Sequence, residues 1–451
     1  MESRGHRRER RRRLRTRILR IAAVVAALGM IAVYVFGGAA GAAPAQAAPD
    51  DVPEPGPGQW FLEDYGIPEM WETTQGEGVT VAVIDSGVKD DHENLTGRVT
   101  ASKDFSGSGH DGTVPVGPDE IIHHGTAVAG VIAGNGTGAG PVGVAPQSKI
   151  AAASVWLGAG GPSDAESTRT QAQQALDWAI DSGASVVNMS LGWNDPAWPE
   201  SWDETFARAY AEDVVVIACV GNRSQGATQA WSPATVPGVV GVGGLARSGE
   251  VRQSSSAPGT AVDLMGPAEG IPVPFYDGGY GTADGCSFAA PVVSGVVALL
   301  RSAHPEMSAD EVVAALEQTA GAVKGHDGRS TADAPDPEVG WGRIDPPAAL
   351  DWEPSGETAS AADELADWVR MHRRAADDAG AQAGEETASP DSGGGPGASE
   401  DAEQAPVAVG GTVPPARLGP VVLVAGGLVS LGLLIAAGVG LLRIRRRSRD
   451  G

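Results

Sequence analysis

The chain has 451 residues and a formal net charge of −25, spread unevenly: residues 1–47 carry ten Arg against two Glu, and residues 443–451 five Arg against one Asp. With +8 and +4 at the ends, the stretch between carries −37, which excludes nucleic acid as a partner because binding there needs clustered Lys and Arg to displace counterions. Two cysteines, Cys219 and Cys286, are too few for a disulfide framework and allow one bridge without requiring it.

Residues 1–47 pass from an Arg-rich stretch through the apolar run 21–38 to small residues ending in Ala45-Gln46-Ala47. That order describes an export signal with Ala48 as the first residue after cleavage. An uncleaved anchor is the alternative, since the apolar run approaches the roughly 20 residues that span a bilayer. Residues 48–76 form an N-terminal extension that opens with the Pro-rich APDDVPEPGPG, a lead-in unable to form helix or ladder.

Beyond it, short Val- and Ala-rich runs bounded by turn residues predict buried strands at 78–85, 149–156, 184–192, 213–222 and 239–245. Helical patterns fall between them at 124–134, 166–183 and 202–211. Such alternation implies an α/β domain, at 77–352, with a parallel sheet between two layers of helices. Residues 353–417 turn to Ala, Gly, Ser, Pro and acidic residues and read as a flexible stalk, with a short helix over 362–379. The uncharged apolar stretch 418–442 is long enough for a transmembrane helix. The Arg-rich tail 443–451 behind it stays cytoplasmic by the positive-inside rule, which places the rest outside the cell membrane in a single-pass arrangement.

Three distant segments each present one reactive side chain among small residues. In VAVIDSGV, Asp85 ends an apolar strand, where sites of α/β folds gather. In HHGTAVAGVIAG, His124 opens a small-residue helix; His123 is its rival, and the Gly-Thr after His124 favours the latter. In DGCSFAAPVVSG, Ser287 starts a long helix, whose free N–H groups and positive dipole end favour negative charge at the serine oxygen. A serine nucleophile needs a base, and the base needs a carboxylate to orient it. The order Asp, His, Ser is that of one class of serine peptidase, and the G-x-S-x-G elbow of an esterase is absent. Asn222, after a buried strand and a Gly, supplies a side-chain donor for an oxyanion.

These segments, together with V-N-M-S-L-G at 187–192, resemble the subtilisin-like serine peptidases over about 270 residues. The resemblance implies an endopeptidase acting on extended polypeptide, with Ser190, Leu191, Gly192, Val220 and Gly221 lining a cleft that binds the substrate backbone as an added strand. The overall plan is similar to a mycosin, the membrane-anchored subtilase associated with type VII secretion, which makes that secretion complex an expected partner. A mainly structural role in the complex, with catalysis secondary, is the alternative.

Two features depart from the family pattern. Cys286 stands where the family has Thr, and residues 48–76 are too short for a folded inhibitory pro-domain, so the extension is expected to wrap around the domain. The fold implied by the resemblance brings Cys219 and Cys286 near one another, and a bridge would need Cα atoms ~4.4 to 6.8 Å apart. No D-x-D-x-D-G loop appears, so no cofactor and no defined metal site is expected, although the acidic loops could hold ions.

Overall fold

The structure, a computed structural model, describes residues 52–383 apart from 139, 327–334 and 357, together with 407–408 and 411–413. The expected signal segment, transmembrane helix and basic tail lie outside the described residues. In chain order the elements are α1 (Trp60–Asp64), α2 (Ile67–Trp71), β1 (Thr80–Asp85), β2 (Val99–Asp104), α3 (His124–Ala133), β3 (Lys149–Ser154), α4 (Thr168–Asp181), β4 (Val186–Met189) and β5 (Leu191–Gly192). There follow α5 (Ser201–Ala211), β6 (Val215–Cys219), β7 (Val240–Leu245), β8 (Leu264–Pro267), β9 (Ile271–Pro274), β10 (Tyr280–Asp284) and α6 (Cys286–Ala303). The last are α7 (Ala309–Thr319), β11 (Gly342–Arg343), α8 (Pro346–Leu350), α9 (Ala361–Ala383), β12 (Val407–Ala408) and β13 (Gly411–Val413).

Eight strands form one sheet in the order β11-β8-β7-β6-β4-β1-β3-β2, and every neighbouring pair is parallel. Strand residues alternate between two apolar layers, as a period of two requires. Val81 and Val83 of β1 join the layer that holds α3 and α6. Ala82 and Ile84 join the layer that holds α4 and α5. The expected α/β sandwich is therefore present, and each of the five expected strands contributes to its sheet, while residues 191–192 of the 184–192 run form β5 outside it.

Three strands of the sheet were not visible in the hydrophobic pattern. β2 is a half-exposed edge strand with the polar sequence VTASKD, so burial never imposed an apolar run on it. β8 and β11 have four and two residues, too short to show a period. The 18-residue α6 is apolar enough to cross a membrane, yet 89% of it is buried inside the domain. It is the central core helix.

Sheet order reverses at β1, which lies between β3 and β4. Crossovers leave that point in opposite directions and open a crevice beyond the carboxyl ends of the strands. Asp85 is the last residue of β1, Cys219 ends β6 just before Asn222, and both helices carrying the other reactive side chains pack on one face.

The N-terminal extension lies along the domain. Trp60, Phe61, Leu62, Ile67, Met70 and Trp71 are buried in the core layer of α3 and α6. Polar anchors fix the path: Gln59 Nε2 donates to the Val142 carbonyl at 2.6 Å, and Trp71 Nε1 to that of Val144 at 2.8 Å. At the other end α9 docks on the opposite layer, burying Leu365. Trp368 packs at a tilt against Trp198 with ring centroids 4.3 Å apart, and Arg373 pairs with Asp203 at 2.6 Å. β12 then adds antiparallel to β5, and β13 antiparallel to β10.

Candidate active site

Asp85 and His124 are brought together by the turn after β1. Ser86 Oγ accepts from the Gly125 amide at 3.0 Å, one of the N–H groups that a helix start leaves unpaired. Gly125 is needed here because a Cβ would stand 2.3 Å from the Gly87 carbonyl oxygen. With α3 drawn onto the turn, His124 Nδ1 lies 2.9 Å from both carboxylate oxygens of Asp85. The Ser86 amide donates to Asp85 Oδ1 at 2.7 Å, which holds the carboxylate in place. His124 Nε2 is buried and has no hydrogen-bond partner among the described residues. His123, the rival in the doublet, instead packs against Phe275 and Tyr276, and burial lowers its pKa.

Ser287 is the second residue of α6, behind Gly285 with φ at +123°, a left-handed conformation open to glycine. Its Oγ donates to the Ser190 carbonyl at 3.2 Å. Pro291 has no N–H to give to the carbonyl four residues back, which is that of Ser287. The Ser190 hydroxyl donates to it instead, at 2.8 Å. Asn188 Nδ2 donates to Ser190 Oγ at 2.9 Å, and Ser294 Oγ donates to Asn188 Oδ1 at 3.0 Å. This buried chain fixes the backbone at Ser287. The motif reading gave no role to Ser86, Asn188 or Ser294; Asn188 carried a signal, since a polar side chain inside an apolar strand must find partners.

Asn222 stands beside the same turn. Its Oδ1 accepts from the Cys286 amide at 3.2 Å, and its Nδ2 donates to Gln225 Oε1 at 3.3 Å. Cys219 and Cys286 form a disulfide with Cα atoms 5.2 Å apart, so the strand end carrying Asn222 is covalently tied to the helix carrying Ser287.

Of the expected cleft residues, Leu191 and Gly192 take up an added strand, β12. The carbonyls of Val220 and Gly221 accept from the Trp231 and Ala257 amides at 3.1 and 2.9 Å. Both carbonyls are thus engaged within the domain. Among the described residues no group of three or more His, Cys, Asp or Glu is arranged to hold a metal.

The family model described as the Subtilase family matches residues 76–342. The chain belongs to the subtilase family. It is a subtilisin-family serine endopeptidase, 34% identical over 249 residues to subtilisin of Bacillus pumilus, which covers 54% of this chain and 84% of that one. It is 31% identical to subtilisin DY of Bacillus licheniformis, over 57% and 90%. Among solved structures, the subtilase is similar to MycP1 with its N-terminal propeptide removed, at TM-score 0.54 and 28% identity, covering 67% of this chain and 99% of that one. The MycP3 protease from the type VII (ESX-3) secretion system matches at TM-score 0.55 and 28% identity, over 67% and 90%. Fervidolysin from Fervidobacterium pennivorans matches at 0.56 and 29%, over 66% and 46%.

Proposed function

We propose that Asp85, His124 and Ser287 hydrolyse peptide bonds in extended polypeptides on the outer face of a membrane. The observation that carries this reading is the pairing of His124 Nδ1 with both oxygens of Asp85 at 2.9 Å, on a helix packed beside the one that Ser287 begins. A carboxylate at Nδ1 leaves Nε2 as the basic nitrogen and stabilises the imidazolium that forms. Ser287 Oγ passes its proton to His124 Nε2 and attacks the substrate carbonyl carbon. Asn222 Nδ2 turns from Gln225 to the developing oxyanion. The imidazolium then protonates the leaving amine, and water releases the acyl group by the same steps in reverse.

The cellular setting is read from the plan of the chain: an export signal at 1–47, a stalk at 353–417, an anchor at 418–442 and a basic tail. The likeness to the MycP proteases supports a place beside a type VII secretion system, with proteins of that system as substrates.

Labelling of the full-length chain with a fluorophosphonate tests the chemistry. Wild type is expected to label, and Ser287→Ala and His124→Ala to lose it; a folded wild type that does not label would sink the reading. For the setting, cells lacking the protein are complemented with wild type or Ser287→Ala. Secretion restored equally by both would assign the protein a structural role there.

A further inference from the structure

We propose that Trp231 sets the substrate preference of the subtilase: its indole fills the slot beside the reacting carbonyl, so that only Gly, Ala or Ser is accepted on the acyl side of the cut bond. The proposal rests on the reading of Ser287 as nucleophile and Asn222 as oxyanion donor, and deepens it by naming the class of sequence cut.

The indole lies between two glycines that belong to separate segments. A Cβ on Gly221 would stand 2.9 Å from Trp231 Cδ2 and 3.0 Å from its Cγ, and a Cβ on Gly192 would stand 3.4 Å from Trp231 Cβ and Cε3. Both glycines are close in sequence to groups of the site. Gly192 lies just beyond Ser190, whose carbonyl accepts from Ser287 Oγ at 3.2 Å, and Gly221 immediately precedes Asn222. The edge at Leu191 and Gly192 accepts an antiparallel strand, as β12 shows. A substrate backbone laid there, with its reacting carbon at Ser287 and its carbonyl oxygen toward Asn222, directs the side chain of the attacked residue into the gap between the two segments. Glycine on both sides leaves the walls of that gap bare, so its depth is set by the indole.

The ring is held in place by its backbone. The Ala230 amide donates to the Pro258 carbonyl at 2.8 Å, the Trp231 amide to that of Val220 at 3.1 Å and the Ser232 amide to that of Asp195 at 3.0 Å. The Ser232 carbonyl in turn accepts from the Trp193 amide at 3.0 Å, so residues 230–232 are pinned to both segments. Trp231 is fully buried. Its Nε1 has no hydrogen-bond partner among the described residues, although a buried indole N–H usually finds one, and a seryl hydroxyl is an acceptor small enough to reach it. Larger side chains meet a filled, close-packed space, where even one extra methylene is felt.

Cut sites made by the full-length chain in an unfolded protein mixture are mapped by mass spectrometry, and one cleaved sequence is remade as peptides with Ala, Ser, Leu or Phe before the cut bond. Wild type is expected to cut after Gly, Ala and Ser, with kcat/KM for the Ala peptide at least about 100-fold above that for the Phe peptide. Trp231→Ala is expected to bring that ratio within about tenfold, and Trp231→Phe to keep most of it. The ratio compares two substrates in one protein, so loss of folded or active enzyme cancels, and a merely structural role for Trp231 would leave it unchanged. The wild-type pattern needs no variant and decides the matter even where Trp231→Ala fails to fold. A wild type that labels with fluorophosphonate but cuts nothing, or cuts after Leu or Phe as readily as after Ala, overturns the proposal and leaves Ser287 as nucleophile, as does a folded Trp231→Ala with the wild-type ratio. A folded wild type that neither labels nor cuts overturns both.

Discussion

At the scale of single residues, the site depends on carbonyl and amide groups as much as on the three reactive side chains. Asn222 holds the Cys286 amide with its oxygen and has its nitrogen on Gln225. Asn222→Ala should lower kcat by ~100- to 1,000-fold with KM nearly unchanged, the loss known for a subtilisin deprived of such a donor, read from steady-state kinetics on a peptide substrate. Ser190 does a different job, since its hydroxyl satisfies the Ser287 carbonyl that Pro291 cannot. Ser190→Ala leaves a buried acceptor unpaired and should cost about 1–3 kcal/mol of stability, measured as a fall in the urea midpoint at constant slope.

Among elements, the decisive relation is between the end of β6 and the start of α6. The Cys219–Cys286 bridge closes a loop with a sequence separation of 67 and joins the segment carrying Asn222 to the helix carrying Ser287. Replacing the pair, as Cys219→Ala with Cys286→Thr, should lower stability by about 2–5 kcal/mol through release of the unfolded chain. Denaturant unfolding with and without reductant checks this: reductant should destabilise wild type and leave the double variant unchanged. The sequence placed both cysteines in site segments, but their pairing depended on how far apart β6 and α6 come to lie. Elements with strong patterns were legible: β1, β3, β4, β6, β7, α3 and α4 all show a buried face or an unbroken apolar run. β2 was not, because its edge position lets VTASKD stay polar.

Over the whole molecule, the excess of carboxylates has a structural consequence at the far end of the domain. A cavity of about 560 Å³ is lined by Asp263, Asp310, Glu317 and Glu364, with Trp341 in its wall. Burial, then the charge of Glu364, pushes the Glu317 pKa from 4.5 up to about 7. Burial also raises Asp263 and Glu364. In the unfolded chain Glu317 releases its proton near 4.5, whereas the folded chain keeps it to about 7. The stability it contributes is therefore complete below about 4.5 and is lost as pH rises to about 7. Thermal midpoints should fall across that window, and Glu317→Gln should flatten the fall; an equal slope in both proteins would contradict it.

The sequence by itself determined the class of fold and singled out Asp85, His124 and Ser287 as candidates, because apolar runs, small-residue helices and a serine at the start of a long helix are local patterns. Only the tertiary structure decided which groups meet across long separations. Ser190 and Ser287 are 97 residues apart and exchange two hydrogen bonds, and no local pattern encodes that exchange. Likewise, no local pattern announces the strands Val407–Ala408 and Gly411–Val413; their pairing with β5 and β10 uses edges those strands leave free. Edges of that kind exist only after the sheet and its crossovers have formed.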